Sequence, residues 1–277
     1  MSDIEFGNNS IRERLYNNAF ELKIAPSLQC LIDRIIFLIT DSNSSINDIY
    51  KVLNQDPGLS ARILSIANSA YYNRGYPLYD LHQALVNIGL EEAKNIILCL
   101  ILMDGIKGRL KFKDLFRFWR HSVFVATSAK ILAEKTLDEN PQLAYMGALL
   151  HDIGRIVFYS EIIDYEVLIK DLTTTHKKER FMAEKELFGI DHQEIGYIIA
   201  KKWGLPEGIT SIIKNHHNSE NGKGKTLLKI IRMSDMFFYC RETNGDPEKL
   251  ILINEEENIN LELKKNMEVL NIITYAK

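Results

Sequence analysis

The sequence predicts an all-α protein built as two helical lobes. Three observations carry that prediction. Apolar residues recur at i, i+3 and i+4 along nearly the whole chain. No stretch shows convincing period-two alternation between hairpin turns. A polar, basic segment from Gly105 to Lys113 interrupts the helical pattern near the middle.

In order, Ser27 to Thr40 carries the stripe Leu28, Leu31, Ile32, Ile35, Ile36 and Ile39, starting just after Pro26. The cluster Asp41-Ser42-Asn43-Ser44-Ser45 breaks it and can cap a helix from Ile46 to Asn54. Asp56-Pro57 sets an N-cap acceptor before a proline at the first helical position, opening a helix that runs to Tyr71-Tyr72. Leu81 to Ile88 ends at Gly89, a C′ glycine, and a longer helix follows from Glu91 to Asp104. Beyond the connector, helices are predicted over Phe116 to Lys135, Gln142 to His151, Tyr165 to Asp171 and Arg180 to Phe188. Three more are predicted over Gln193 to Trp203, Glu207 to Asn215 and Thr226 to Tyr239. The organisation is a helical extension over 1–21, a first lobe over 22–114, a second over 115–240, and a charged, partly helical tail over 241–277. That tail carries an amphipathic candidate in Leu261, Leu263, Met267, Val269 and Leu270.

Composition narrows the function classes. With 277 residues the chain can bury a sizeable core. A net charge of −3 argues against a nucleic-acid binder, which shows a basic patch or stripe. The most apolar run, Ile96 to Met103, is far shorter than the roughly 20 residues a membrane span needs, so no membrane association is expected. Met1-Ser2-Asp3-Ile4-Glu5 lacks the basic and apolar regions of a signal peptide. Cys30, Cys99 and Cys240 are scattered without a C-x-x-C pair and read as reduced, buried thiols. Together these features predict a cytoplasmic protein. Trp119 and Trp203 read as core anchors, and His82 and His176 as solvated.

The chemistry concentrates in the second half. His151-Asp152 follows the apolar pair Leu149-Leu150, and such a dipeptide can hold a divalent cation through nitrogen on one side and a bridging oxygen on the other. His121 sits in the aromatic-flanked segment Phe118-Trp119-Arg120-His121, and His192 follows Gly189-Ile190-Asp191 at a helix start. Adjacent helical residues diverge by about 100°, so His216 and His217 can serve one site only where a helix ends, and they lie at such an end. Asp235 is a lone acid in Met233-Ser234-Asp235-Met236-Phe237-Phe238 and needs a partner, because a buried carboxylate is costly. Each histidine alone also fits a hydrogen-bonded core or surface imidazole. Arg155 fits a salt bridge or a helix C-terminal charge better than a phosphate clamp. Asn68 with Tyr71-Tyr72 fits either a partner surface or a helix cap beside packed tyrosines.

The order His, His-Asp, His, His-His, Asp resembles the ligand order of the HD superfamily of metal-dependent phosphohydrolases. In the first lobe, Asp56-Pro57-Gly58-Leu59-Ser60-Ala61-Arg62-Ile63-Leu64 and Ala67-Asn68-Ser69-Ala70-Tyr71-Tyr72 resemble the signature of HDOD domains (HD-related output domains). Ala84 to Leu90, Phe118-Trp119-Arg120-His121-Ser122, Gly147 to Arg155 and Trp203-Gly204-Leu205-Pro206 extend the resemblance over roughly Leu22 to Tyr239. It implies a two-lobed helical HDOD fold whose second lobe is an HD-like bundle. It also implies that His121, His151, Asp152 and Asp235 hold one metal, with Asp152 bridging to a second held by His192, His216 and His217.

The resemblance further implies one or two divalent transition-metal ions (Fe, Mn, Ni or Zn) and a regulatory role exercised on signalling proteins. The alternative is a phosphohydrolase or phosphodiesterase acting on a nucleotide or cyclic dinucleotide, with Asp152 and Arg155 as its catalytic residues and a nucleotide as its ligand. Two departures bear on this. Relatives that cleave cyclic-di-GMP carry Gly-Tyr-Pro after the paired histidines, where this chain reads Asn218-Ser219-Glu220-Asn221-Gly222. They also carry lysine after the His-Asp turn, where Arg155 offers a planar fork of different donor geometry.

Overall fold

The computed structural model describes residues 2–21, 26–41, 43–69, 72–73, 75–106, 110–135, 139–176, 178–218 and 225–242. All secondary structure among them is helical. The described residues group into two compact units, one within Ile24–Gly108 and the other within Met1–Lys23 and Arg109–Ile259. The predicted amphipathic segment from Leu261 lies outside the described residues.

The first lobe comprises α2 (Pro26–Thr40), α3 (Ile46–Leu53), α4 (Pro57–Ala67), α5 (Leu81–Ile88) and α6 (Leu90–Ile106). The buried face of α2 is Ile32, Ile35 and Leu38, with Ile36 and Ile39 only half-buried, so the apolar stripe is rotated slightly from the expected one. Ser45 and Asp48 form a capping box at the start of α3. Asp56 accepts from the Leu59 N–H at 3.0 Å ahead of Pro57. Asn68 ends α4 as its cap and also ties down the following loop. Its Nδ2 donates to the carbonyls of Leu64 and Leu78, and its Oδ1 accepts from the Leu78 N–H at 2.8 Å. Gly89 ends α5 at φ 92°, a conformation that side-chain-bearing residues rarely adopt. Cys99 is buried in α6, whereas Cys30 is exposed on α2, contrary to the expectation for it; the side chain of Cys240 lies outside the described set.

The second unit comprises α1 (Ser2–Glu21), α7 (Phe112–Glu134), α8 (Pro141–Leu150), α9 (Arg155–Glu161), α10 (Tyr165–Thr174), α11 (Arg180–Phe188), α12 (His192–Lys202), α13 (Glu207–Asn215) and α14 (Lys225–Glu242). The expected N-terminal extension forms α1, which packs on α9, α11 and α12 through Leu15 and Ala19. It therefore groups with the second lobe. The central elements are α7 and α8, packed on each other, with α14 against α7 and α13 against α8. Residues 121–129 of α7 and 144–150 of α8 are buried on every side, as expected of helices at the middle of a bundle. Trp119 and Trp203 are fully buried anchors, each side chain of this size contributing roughly 1.5–3 kcal/mol or more. No helix among the described residues is long and apolar enough to cross a membrane.

Candidate metal centre

The seven residues singled out along the second lobe meet at its centre. His121 comes from the buried middle of α7 and Asp235 from α14, which packs beside it; His121 Nε2 lies 3.3 Å from Asp235 Oδ1. His151 is the C-cap of α8, and Asp152 follows it into the turn before α9. His192 is the first residue of α12, after Asp191, whose side chain caps the helix by accepting from the Glu194 N–H at 2.9 Å. His216 caps the C-terminus of α13, and His217 follows. Two helix C-termini therefore converge here, and their partial negative charge favours a cation.

Local backbone chemistry aims the imidazoles. Nδ1 of His151 lies 2.6 Å from the Ala148 carbonyl, and Nδ1 of His216 lies 2.9 Å from the Ile213 carbonyl. Each ring folds back over its own last turn, donates there through Nδ1–H, and turns the Nε2 lone pair inward. For His192 the same job falls to Glu184, which is fully buried. Its Oε2 accepts from both the His192 backbone N–H (2.8 Å) and Nδ1 (2.6 Å), while Oε1 takes a hydrogen bond from the Tyr165 hydroxyl. A ligand histidine held through its second nitrogen by a carboxylate or carbonyl is the arrangement that metal sites use. Close approach of the turn to α12 requires Gly154: a Cβ there would lie 2.0 Å from the His192 carbonyl oxygen.

Two triads result. His121, His151 and Asp235 form one, and His192, His216 and His217 the other, the ligand atoms within each all lying within 4.8 Å of one another. Asp152 stands between them. Its Oδ2 is 3.1 Å from His121 Nε2 and 3.6 Å from His151 Nε2, and its Oδ1 is 3.2 Å from His192 Nε2 and 3.7 Å from His216 Nε2. A third group, His151, Asp152 and His216, joins the two sides.

The donor set fits a cation. His192 Nε2 lies 3.1 Å from Nε2 of both His216 and His217. With Nδ1 of His192 and His216 engaged as donors, the contact between those two rings sets lone pair against lone pair, and a shared cation relieves the clash. Asp235 Oδ1 is buried without a hydrogen-bond partner, a cost that ligation removes. Burial lowers the basicity of His121, His151 and His216 and takes His217 down to about 2, so these imidazoles are neutral and ready to ligate. For His192 burial works the same way, but Glu184 and Asp152 outweigh it and raise its pKa. Burial raises the Asp152 carboxyl too, yet His151, Arg155 and His192 together hold it well below the usual range. Asp235 is pushed up to about 6, chiefly by burial. Imidazole and carboxylate together suit first-row divalent metals.

Arg155 is buried and committed. It donates through Nη1 to Asp152 Oδ2 at 2.7 Å, and through Nη2 to the Tyr159 hydroxyl (2.8 Å) and Glu166 Oε1 (3.1 Å). It is a salt-bridge partner that fixes Asp152, not an open phosphate clamp. His82 and His176 stand apart from the cluster; His82 Nε2 lies 3.0 Å from Asn47 Oδ1, and His176 is exposed. Beside the triads a cavity of about 470 Å³ is lined by Asp152, His192, His217 and Asp235 and also by Lys178, Glu179, Arg180 and Arg232. Glu184, Arg180 and Arg232 belong to no motif visible in the sequence. Glu184 shares a helix face with Phe188, four residues on, and the two are buried together.

A model of the HDOD domain family matches residues 25–219, most of the chain. The chain belongs to the HDOD domain family. An uncharacterized protein of Treponema pallidum is 23% identical over 217 residues, covering 76% of this chain and 41% of that protein. This HDOD chain thus spans less than half of that relative. Among solved structures, the fold is similar to a candidate signal transduction protein from Marinobacter aquaeolei (TM-score 0.76, 20% identity, 96% of this chain and 66% of that one). It is also similar to a candidate phosphohydrolase from Shewanella amazonensis (TM-score 0.67, 20% identity, 94% and 96%). At such identities the likeness establishes the HDOD fold.

Proposed function

We propose that this HDOD protein is a cytoplasmic regulatory module whose second lobe holds one or two divalent transition-metal ions and which acts through contacts with signalling proteins. The observation that carries the metal reading is the position of Asp152, one carboxylate oxygen toward each histidine triad. On this reading His121, His151 and Asp235 hold one ion, His192, His216 and His217 the other, and Asp152 bridges. Arg155 fixes the bridge, and Glu184 fixes His192. The regulatory reading draws on the engagement of Arg155 by Asp152, Glu166 and Tyr159, which leaves no free fork for a substrate phosphate at that position.

A second reading, a metal-dependent phosphohydrolase or phosphodiesterase acting on a nucleotide, is favoured by the cavity that Asp152 lines together with Arg180 and Arg232. A bound divalent ion there would supply Lewis-acid polarisation of a phosphoryl oxygen and activation of water. Arg180 and Arg232, paired with Glu166 and Glu179, would lend the phosphate a positive field, and Asp152 would hold the reacting centre in register. Assaying the protein reconstituted with Mn²⁺, Fe²⁺ or Ni²⁺ against phosphomonoesters and cyclic dinucleotides separates the two. The regulatory reading expects bound metal without turnover. Turnover that disappears in Asp152→Ala replaces it with the enzyme.

A further inference from the structure

We propose that a second cavity, separated from the metal centre by the Arg155–Glu166–Arg180 network, is a binding site for a phosphorylated small molecule. The cavity measures about 580 Å³, within the range of small-molecule pockets, roughly 300–1,000 Å³. It touches none of the seven cluster residues, so the inference stands apart from the metal reading. Five cations line it, Lys111, Lys113, Arg117, Lys170 and Arg180, against three carboxylates, Asp114, Asp164 and Glu166.

One of those carboxylates is already committed. Glu166 accepts from Arg155, from the Tyr159 hydroxyl at 2.5 Å and from both Arg180 Nη atoms at 3.2–3.3 Å. The neighbouring guanidiniums hold it ionised, down to about 2 against the pull of burial. Arg117 reaches Glu166 only at 3.9 Å with 44% of its side chain exposed, so an entering anion can recruit it. The positive ends of two helices add to the field, since α7 and α10 both begin at this cavity. Their N-cap residues, Lys111 and Asp164, make no side-chain cap.

The remaining wall explains why the ligand is organic as well as anionic. Ile163 and Val167 line the cavity and are 85% and 68% exposed, an apolar surface left open among the described residues. A phosphate among Lys113, Arg117 and Lys170, with a carbon skeleton against Ile163 and Val167, satisfies both walls.

The test is calorimetric titration of the EDTA-treated full chain with inorganic pyrophosphate at low ionic strength. Chelation removes any phosphate binding that depends on metal. Saturable binding is expected, weakened about tenfold or more in the Lys113→Ala/Lys170→Ala double variant, because two of the cations that meet the phosphate are lost. It is expected unchanged in His217→Ala, which alters the other cavity. Both lysines are exposed, so the double variant folds. No saturable binding into the millimolar range overturns the proposal, as does binding that the lysine substitutions leave intact.

Discussion

Glu184 clasps His192 twice, its Oε2 accepting from the backbone N–H at 2.8 Å and from Nδ1 at 2.6 Å, with no solvent access. A fully buried glutamate is expensive unless every lone pair has work, and here the Tyr165 hydroxyl takes the other oxygen. The arrangement fixes the His192 tautomer so that Nε2 is a lone-pair donor facing Asp152 and the paired histidines.

Replacing that clasp tests its role. Glu184→Gln keeps the shape but can present an amide N–H to His192 Nδ1, and so frees the ring to flip or change tautomer. Metal affinity at the His192–His216–His217 side is expected to fall about 10–100-fold, the usual cost of losing a partner behind a ligand. Competition titration with a chromogenic chelator measures it; unchanged affinity would remove Glu184 from the account.

Asp152→Asn tests the bridge. The substitution replaces one of the two bridging oxygens with an amide nitrogen that cannot ligate, and strips Arg155 of its nearest counter-charge. Elemental analysis is expected to show reduced metal per chain. Thermal melts of the chelated protein are expected to show destabilisation of a few kcal/mol at most, about what breaking one member of a buried pair costs.

Gly154→Ala tests the packing that sets the distance between the turn and α12. The new Cβ would meet a backbone oxygen at 2.0 Å, which no rotamer change relieves. A loss of about 1–3 kcal/mol or more is expected, together with weaker metal uptake as His192 is displaced. A thermal melt indistinguishable from the parent would show that this approach is not tight in solution.

Acidity bears on the chelated protein in a defined direction. Burial holds His121, His151, His216 and His217 below 6.5, their ordinary value. In the unfolded chain they protonate near 6.5, so below that pH the unfolded state binds more protons and stability falls as pH falls. His192, with a raised pKa, and Asp235, near 6, work the other way, because the native state takes up their protons first. Four groups against two predicts a net decline in melting temperature between pH ~7 and ~5. A flat or rising melting temperature over that window contradicts it.

How much of this was legible in the sequence follows from how local each signal is. His151 and His216 advertise themselves because they sit where apolar helical runs end, and the bonds that orient them go to carbonyls three residues back. The Asp56, Asn68 and Gly89 caps are equally local. Helix α9 was not foreseen: at seven residues it is shorter than the 11–18-residue window in which helical periodicity can be counted. The partners of Arg155 were not legible either, because Tyr159 and Glu166 meet it only once α9 and α10 have packed. Glu184 escaped for a related reason. It sits among other charged residues in Glu184-Lys185-Glu186, and only its burial separates it from them.

On the proposed reading, the two triads are the two halves of one metal centre bridged by Asp152. Anomalous diffraction at the absorption edge of the bound metal, from crystals of protein reconstituted with Mn²⁺, Fe²⁺ or Ni²⁺, tests it most directly. The account predicts peaks at the His121–His151–Asp235 side, the His192–His216–His217 side, or both, each within coordination distance of Asp152. Reconstituted crystals with no peak near any of these seven residues would contradict it.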